Sequence, residues 1–228
     1  SYLCGERIVS AALVSGAQAV HPGYGFLSEN PEFAELCRKN GIAFIGPTAG
    51  NMRALSDKAE IKRRMAEAGL PGIPGTGALP TAEDAAAAAE RIGYPVMLKA
   101  RSGGGGRGIR LVSAPEELRP AFLAATAEAQ SAFGDGAVYL EKYVHPARHV
   151  EMQILADEQG NVVCMGERDC SVQRRHQKLV EESPCPALGT EQREALIGRI
   201  AAAVRKIGYV GAGTLEFLCA PDGTLYFM

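Results

Sequence analysis

Between Val96 and Val112 the chain reads Val-Met-Leu-Lys-Ala-Arg-Ser-Gly-Gly-Gly-Gly-Arg-Gly-Ile-Arg-Leu-Val, two apolar runs separated by a glycine-rich stretch, Gly103 to Gly106 plus Gly108. A backbone without side chains adopts either sign of φ and lets a ligand approach closely. A row of exposed N–H groups flanked by Lys99, Arg101, Arg107 and Arg110 suits a phosphate. A flexible linker tip is the competing reading. Gly103, Gly105 and Gly108 spell G-x-G-x-x-G, but that fingerprint requires a helix directly after it, and Ile109-Arg110-Leu111-Val112 reads as a strand. A Walker A loop is excluded because Ile109, not Lys-Ser/Thr, follows Gly108. What remains is a glycine-loop hairpin with a lysine on its entering strand.

The 228 residues are enough for one large domain or two to three subdomains, and 46% apolar residues supply a core. A net charge of −2 with interspersed signs gives no nucleic-acid or membrane footprint. No apolar run approaches the roughly 18 residues of a membrane span, and no signal peptide is recognised. Six cysteines without a C-x-x-C pair read as reduced thiols, which fits a cytoplasmic location. The chain opens without Met and stops inside a strand, so it is expected to be a fragment of something longer.

The patterning predicts α/β and α+β architecture in three parts. Residues 6–19 form a helix, Ala19-Val20 a strand, Pro31 to Asn40 a helix capped by Asn30, and Ile42 to Ile45 a buried strand. Helix, strand, helix, strand indicates a small parallel layer. A basic helix runs from Ser56 to Ala68, and Pro71 to Gly77 is a hinge-like connector. An alanine-rich helix then ends at Gly93, strands 95–99 and 109–112 flank the glycine loop, and a helix from a capping box at Ser113 runs to Phe133. Strand 138–143 closes this part. The strands 149–155 and 162–166, a polar segment 167–178, a helix Thr190–Ile207 and strands 213–218 and 224–228 make a mainly antiparallel sheet with a helix on it.

Glu216 sits mid-strand between Leu215 and Phe217, either on a solvated face or as a ligand for a hard cation. The segment Glu167 to Lys178 is either a solvated charge run or, with Gln173 and His176 among its arginines, an anion-positioning element. His149 is either a satisfied strand histidine or a ligand contact. Lys99 stands out from surface lysines because apolar residues precede it and the glycine loop follows.

The stretches His21 to Asn30, Lys99 with Gly103 to Gly108, Glu141-Lys142-Tyr143, Arg148 to Glu151, Glu167 to Lys178 and Gly211 to Phe217 together resemble the biotin carboxylase component of biotin-dependent acyl-CoA carboxylases, members of the ATP-grasp superfamily. The resemblance covers essentially the whole chain. It implies a partial N-terminal α/β (pre-ATP-grasp) subdomain over 1–55 and an ATP-grasp region over 56–228. The latter divides into a glycine-loop lid at about 71–143 and an incomplete, mainly antiparallel sheet subdomain at about 144–228. It implies that ATP, with Mg (or Mn), drives bicarbonate to carboxyphosphate, and that biotin on a carrier domain is carboxylated. By resemblance, Lys58 and Lys99 hold phosphates under the backbone of Gly105 and Gly106. Glu141, Lys142, Tyr143 and Val144 line the adenine edge, and His149, Gln173 and His176 touch the nucleotide. Lys178 contacts bicarbonate and Glu216 binds the metal. Such chemistry needs positioning and charge neutralisation more than a covalent nucleophile.

The same resemblance implies a biotin carboxyl carrier protein, a carboxyltransferase component and a homodimeric full-length protein as partners, with no nucleic acid and no membrane. The family's further metal and bicarbonate ligands are expected beyond Met228, so the 228 residues alone are expected to be inactive. Arg101-Ser102 departs from the small residues usual at the start of the loop. Pyruvate and urea carboxylases, a carbamoyl-phosphate synthetase half and a non-catalytic nucleotide-binding module are the alternatives.

Overall fold

A computed structural model describes residues 2–56, 58–101, 108–174 and 177–228, with the side chains of 56 and 58–60 left aside. The expectations for Gly105, Gly106 and His176, and for the Lys58 side chain, lie outside the described residues. The chain divides into two compact units, Ser1–Gly72 with Ala147–Met228, and Ile73–Pro146.

In the first unit α1 (Gly5–Ser15), α2 (Pro31–Lys39) and a two-stranded parallel sheet of β1 (Ala19–Val20) and β2 (Ala43–Phe44) enclose Val9, Phe33, Cys37 and Ile42. Asn30 caps α2 as expected, its Oδ1 accepting from Phe33 N–H at 2.8 Å. The first helix is shorter than its periodicity suggests. Gly16 takes φ 70°, and the N–H groups of Gly16 and Ala17 turn back to Leu13 and Ala12, which ends α1 four residues early. A helix the sequence reading missed, α3 (Ala49–Ser56), starts behind Thr48, whose Oγ1 accepts from Asn51 N–H at 3.0 Å; the basic helix α4 (Lys58–Glu67) follows it.

The remainder of this unit is a five-stranded antiparallel sheet built from β6 (Arg148–Ala156), β7 (Val162–Arg174), β8 (Gln177–Glu182), β9 (Gly211–Cys219) and β10 (Leu225–Phe227), in the order β10-β9-β6-β7-β8. Helix α7 (Thr190–Ile207) covers one face. Its Leu196, Ile200, Ala203 and Val204 meet Val150, Met152 and Ile154 of β6 and Leu215 and Phe217 of β9. Alternation along β6 and β9 therefore sends His149, Glu151 and Glu216 to the other face. The expected polar segment 167–178 is corrected here: 167–174 continues β7 and 177–178 opens β8. Arg168, Asp169 and Lys178 pair with side chains of β6 and Glu167 with Arg193 of α7, and the β7–β8 register shifts around Val172.

The second unit is a three-stranded antiparallel sheet, β4-β3-β5, of β3 (Val96–Ala100), β4 (Ile109–Val112) and β5 (Val138–Lys142), with α5 (Ala82–Ile92) and α6 (Pro115–Phe133) on one face. Ala85, Ala88 and Ala89 are buried, and their small side chains let α5 lie close to Val96, Leu98 and Leu140. The Ser113 capping box is corrected: α6 is preceded by Ala114, and the Glu117 carboxylate instead accepts from Ser113 N–H at 2.8 Å. The opposite face carries Met97, Lys99, Ile109, Leu111, Tyr139 and Glu141 and is left open by the helices.

Phe217 is 1% exposed and packs edge-on to Phe227 at 5.9 Å between centroids. Phe217→Ala is expected to cost about 3–5 kcal/mol, read as a lower urea midpoint at unchanged slope.

Candidate active site

On the open face of the five-stranded sheet, a carboxylate is sunk among cations. Glu151 is 3% exposed and stands opposite Arg168 on β7 and Glu216 on β9. Its Oε1 accepts from Arg168 Nε at 2.7 Å, and its Oε2 accepts a short bond from Lys178 Nζ. Burial pushes the Glu151 carboxyl up, but the bonds from Lys178 and Arg168 outweigh it and hold it below its ordinary value. Burial likewise disfavours the Lys178 ammonium, and the bond to Glu151 more than reverses that, so Lys178 is charged at neutral pH. Glu216 Oε1 lies 3.4 Å from Lys178 Nζ and 3.7 Å from His149 Nε2.

His149 is oriented from behind. Gln173 Nε2 donates to Cys170 C=O at 2.7 Å and stands 2.6 Å from His149 Nδ1. With the amide so placed, Nδ1 accepts and Nε2 carries the proton. Nε2 is buried and has no hydrogen-bond partner among the described residues, and it stands 3.7 Å from Glu216 Oε1. A cleft of about 480 Å³ opens here, bordered by His149, Ser171, Gln173, Lys178, Glu216 and Leu218. The structure thus brings together four residues picked from the sequence: His149, Gln173, Lys178 and Glu216.

Glu151 and Arg168 were not picked. The signal for Glu151 was its place between His149 and Gln153 in a strictly alternating strand, which set its face but not its burial. A second ring, Arg148 to Asp169 at 2.7 Å and Arg193 to the 1%-exposed Glu167 at 2.6 Å, fixes β7 against β6 and α7. Cys170 lies among Glu151, Lys178 and Glu181; burial first, then the Glu151 charge, raises its thiol to about 11, so it is a thiol rather than a thiolate at neutral pH.

His149, Glu151 and Glu216 each bring one potential metal-ligand atom within 4.8 Å of the others. Glu151 is already taken by two cations. Glu216, about half exposed, is the carboxylate with free capacity, and one carboxylate plus substrate phosphates is the kind of set that suits Mg²⁺.

In the second unit Lys99 Nζ pairs with the Glu141 carboxylate on the open sheet face, beside Met97, Ile109, Leu111 and Tyr139. The Lys142 ammonium turns to the other side and binds the carbonyls of Gly93 at 2.7 Å and Tyr94 at 3.1 Å, which makes it a tie of the fold. Tyr143 stacks on His145, with centroids 5.5 Å apart, and Val144 is half-buried next to it.

Residues 57–228 match the family described as "Carbamoyl-phosphate synthase L chain, ATP binding domain", and residues 1–52 match "Biotin carboxylase, N-terminal domain". A biotin carboxylase of Nostoc sp. is 52% identical over all of this chain and 51% of its own length. The alpha subunit of a mitochondrial methylcrotonoyl-CoA carboxylase of Dictyostelium discoideum is 50% identical over all of this chain and 33% of its own length. The crystal structure of the biotin carboxylase domain dimer of Hydrogenobacter thermophilus 2-oxoglutarate carboxylase, in complex with MgADP, ADP and bicarbonate, is 51% identical with a TM-score of 0.77. The similarity covers 99% of this chain and 50% of that one. The chain therefore spans about half the length, or less, of these relatives.

Glu151 and Asp169 both have folded carboxyl pKa values below their ordinary ones. The stability they contribute is full above the unfolded carboxylate pKa of about 4 and is lost as pH falls through the lower folded value. Glu151→Gln is expected to flatten the acid limb of stability against pH, measured by urea unfolding at neutral and acid pH. A limb as steep as wild type would show that the Lys178–Glu151–Arg168 cluster does not carry it. Glu151→Ala, which strands two partly buried cations, is expected to cost about 3 kcal/mol.

Proposed function

The chain belongs to the biotin carboxylase family of ATP-grasp ligases, and on that premise we propose that the full-length protein carboxylates biotin on a carrier, using ATP, Mg²⁺ and bicarbonate by way of carboxyphosphate. The observation that carries the reading is Lys178, a fixed ammonium between Glu151 and Glu216, facing the same cleft as His149 Nε2, which has no hydrogen-bond partner among the described residues. This arrangement suits an anion next to a hard cation. Bound Mg²⁺ supplies charge neutralisation for phosphoryl transfer.

The roles follow residue by residue. Lys58 and Lys99 hold phosphates, with Gly105 and Gly106 covering them. The open apolar face of β3, β4 and β5 suits a flat ring, and Glu141, Tyr143 and Val144 line the adenine edge; Lys142 serves there through its backbone, since its side chain is spent on Gly93 and Tyr94. His149, Gln173 and His176 contact the nucleotide, Lys178 holds bicarbonate and Glu216 the metal. In domain terms, 1–55 is the pre-ATP-grasp part, about 71–143 the lid and about 144–228 the sheet subdomain.

The final acceptor is an acyl-CoA, in line with the methylcrotonoyl-CoA carboxylase relative. The partners are a biotin carboxyl carrier, a carboxyltransferase component and a second copy of the full-length chain. Free cysteines throughout fit a reducing compartment, the cytoplasm. The 228 residues alone do not turn over, because they span about half the length of the relatives and the remaining bicarbonate-binding and proton-transfer groups are expected outside them.

In the full-length protein, ATP hydrolysis is expected to depend on bicarbonate and to rise with free biotin. Lys178→Ala is expected to lower kcat by about 10²–10³-fold while MgADP still binds. Bicarbonate-dependent hydrolysis that ignores biotin would move the assignment to a carbamoyl-phosphate type of ligase. Turnover by the isolated 228 residues would remove the claim that they are incomplete.

A further inference from the structure

Of the four asparagines in the chain, only Asn40 is followed by glycine. The neighbour matters because the main-chain nitrogen of the next residue can attack an asparagine side-chain amide. Asn30 is protected: Pro31 carries no N–H, and the Asn30 Oδ1 accepts from Phe33 N–H at 2.8 Å. Asn51 precedes Met52, and its amide is fixed at both atoms. Its Nδ2 donates to Gly208 C=O at 3.0 Å, and its Oδ1 accepts from Val210 N–H at 3.1 Å. Asn161 precedes the stiff, branched Val162 and donates to Asp157 Oδ2 at 2.7 Å.

Asn40 stands at the end of α2 in the turn to β2, where residues 38–41 are all exposed. Gly41 has φ 69°, and a Cβ built there would meet nothing within 4 Å, so no side chain shields its nitrogen. Two exposed bonds keep the reacting groups occupied. Gly41 N–H donates to Arg38 C=O at 3.1 Å, and Asn40 Nδ2 donates to Leu36 C=O at 2.8 Å. Both belong to the last turn of a helix, a part that opens at little cost in free energy. Fraying of that turn releases the nitrogen and the amide together.

We propose that Asn40 is a modification site, one of spontaneous deamidation and isoaspartate formation. The Gly41 nitrogen gives up its proton and bonds to Asn40 Cγ. The Cγ–Nδ2 bond breaks, and the side-chain nitrogen takes up a proton and leaves as ammonia. Water then opens the cyclic imide. Cleavage between the ring nitrogen and Cγ leaves aspartate, and cleavage between that nitrogen and the Asn40 main-chain carbonyl carbon leaves isoaspartate. Either product puts a carboxylate at the negative end of α2 and removes the donor to Leu36 C=O. Isoaspartate also lengthens the backbone just before Ile42, which is 3% exposed and whose N–H donates to Cys37 C=O at 3.0 Å. The parallel pairing of Ala43 with Ala19 starts one residue later, so the modification loosens α2 against β2.

The test is peptide mass spectrometry on the full-length protein, incubated warm at neutral and at mildly alkaline pH, with an unincubated sample as the zero point. Trypsin releases residues 40–53 as one peptide, so Asn40 and Asn51 are compared within the same molecule. Aspartyl and isoaspartyl forms are expected at Asn40, faster at the higher pH, with Asn30, Asn51 and Asn161 intact. An intact Asn40 overturns the proposal, as does conversion of Asn51 or Asn161 at an equal rate. Asn40→Gln is expected to lose the signal from this peptide, and a signal that persists there overturns the assignment to Asn40. Asn40→Asp, the product with an ordinary backbone, is expected to unfold at a lower urea concentration than wild type. An unchanged midpoint overturns the stated effect on α2.

Discussion

The open face of the five-stranded sheet depends on the burial of Glu151. A carboxylate 3% exposed needs compensating charge, and it receives two cations from different strands, Arg168 of β7 and Lys178 of β8. That requirement ties the register of β6, β7 and β8 to one another, because a one-residue slip would send Glu151 to the face packed by α7. It also immobilises Lys178 at no cost to its charge. What the trio leaves over is functional capacity: a half-exposed Glu216 and a buried His149 Nε2, both turned toward the same cleft.

Lys99 and Lys178 are each held by a glutamate, and the two arrangements differ in net charge. Glu151 is shared with Arg168, so Lys178, Arg168 and Glu151 together carry one positive charge before Glu216 is counted. Lys99 and Glu141 as a pair carry none. The one positive charge of the Glu151 trio is offset by Glu216 beside Lys178 and Glu181 beside Arg168.

Much of this was legible in the sequence, for reasons that can be located. Period-two alternation around Glu216 gave its face because Leu215 and Phe217 are large and apolar. The end of α6 was legible at Phe133, where Gly134 takes the left-handed region, while its start at Pro115 lacks the side-chain cap expected from Ser113. The strand character of 167–174 was hidden because hydropathy does not register charges that are neutralised across a sheet: Glu167 finds Arg193 on α7, and Asp169 finds Arg148 on β6. Glu151 was hidden for the same reason, since its partners Arg168 and Lys178 lie on strands that local periodicity treats separately. Lys142 shows the converse limit. The family resemblance implied a ligand contact there, while the fold spends its ammonium on two carbonyls before β3.

The protonation states on the sheet face bear on what it does chemically. Lys178 is held charged by Glu151, and Cys170 is held as a thiol by burial and by the same carboxylate. A charged ammonium is no base, and a thiol near 11 is no nucleophile at neutral pH. The Glu151 carboxylate, kept ionised by its two cations, is a poor proton acceptor as well. These three groups therefore bind and orient. Under the proposed function, a proton taken from a substrate goes to some other group, and these three side chains serve to position ligands.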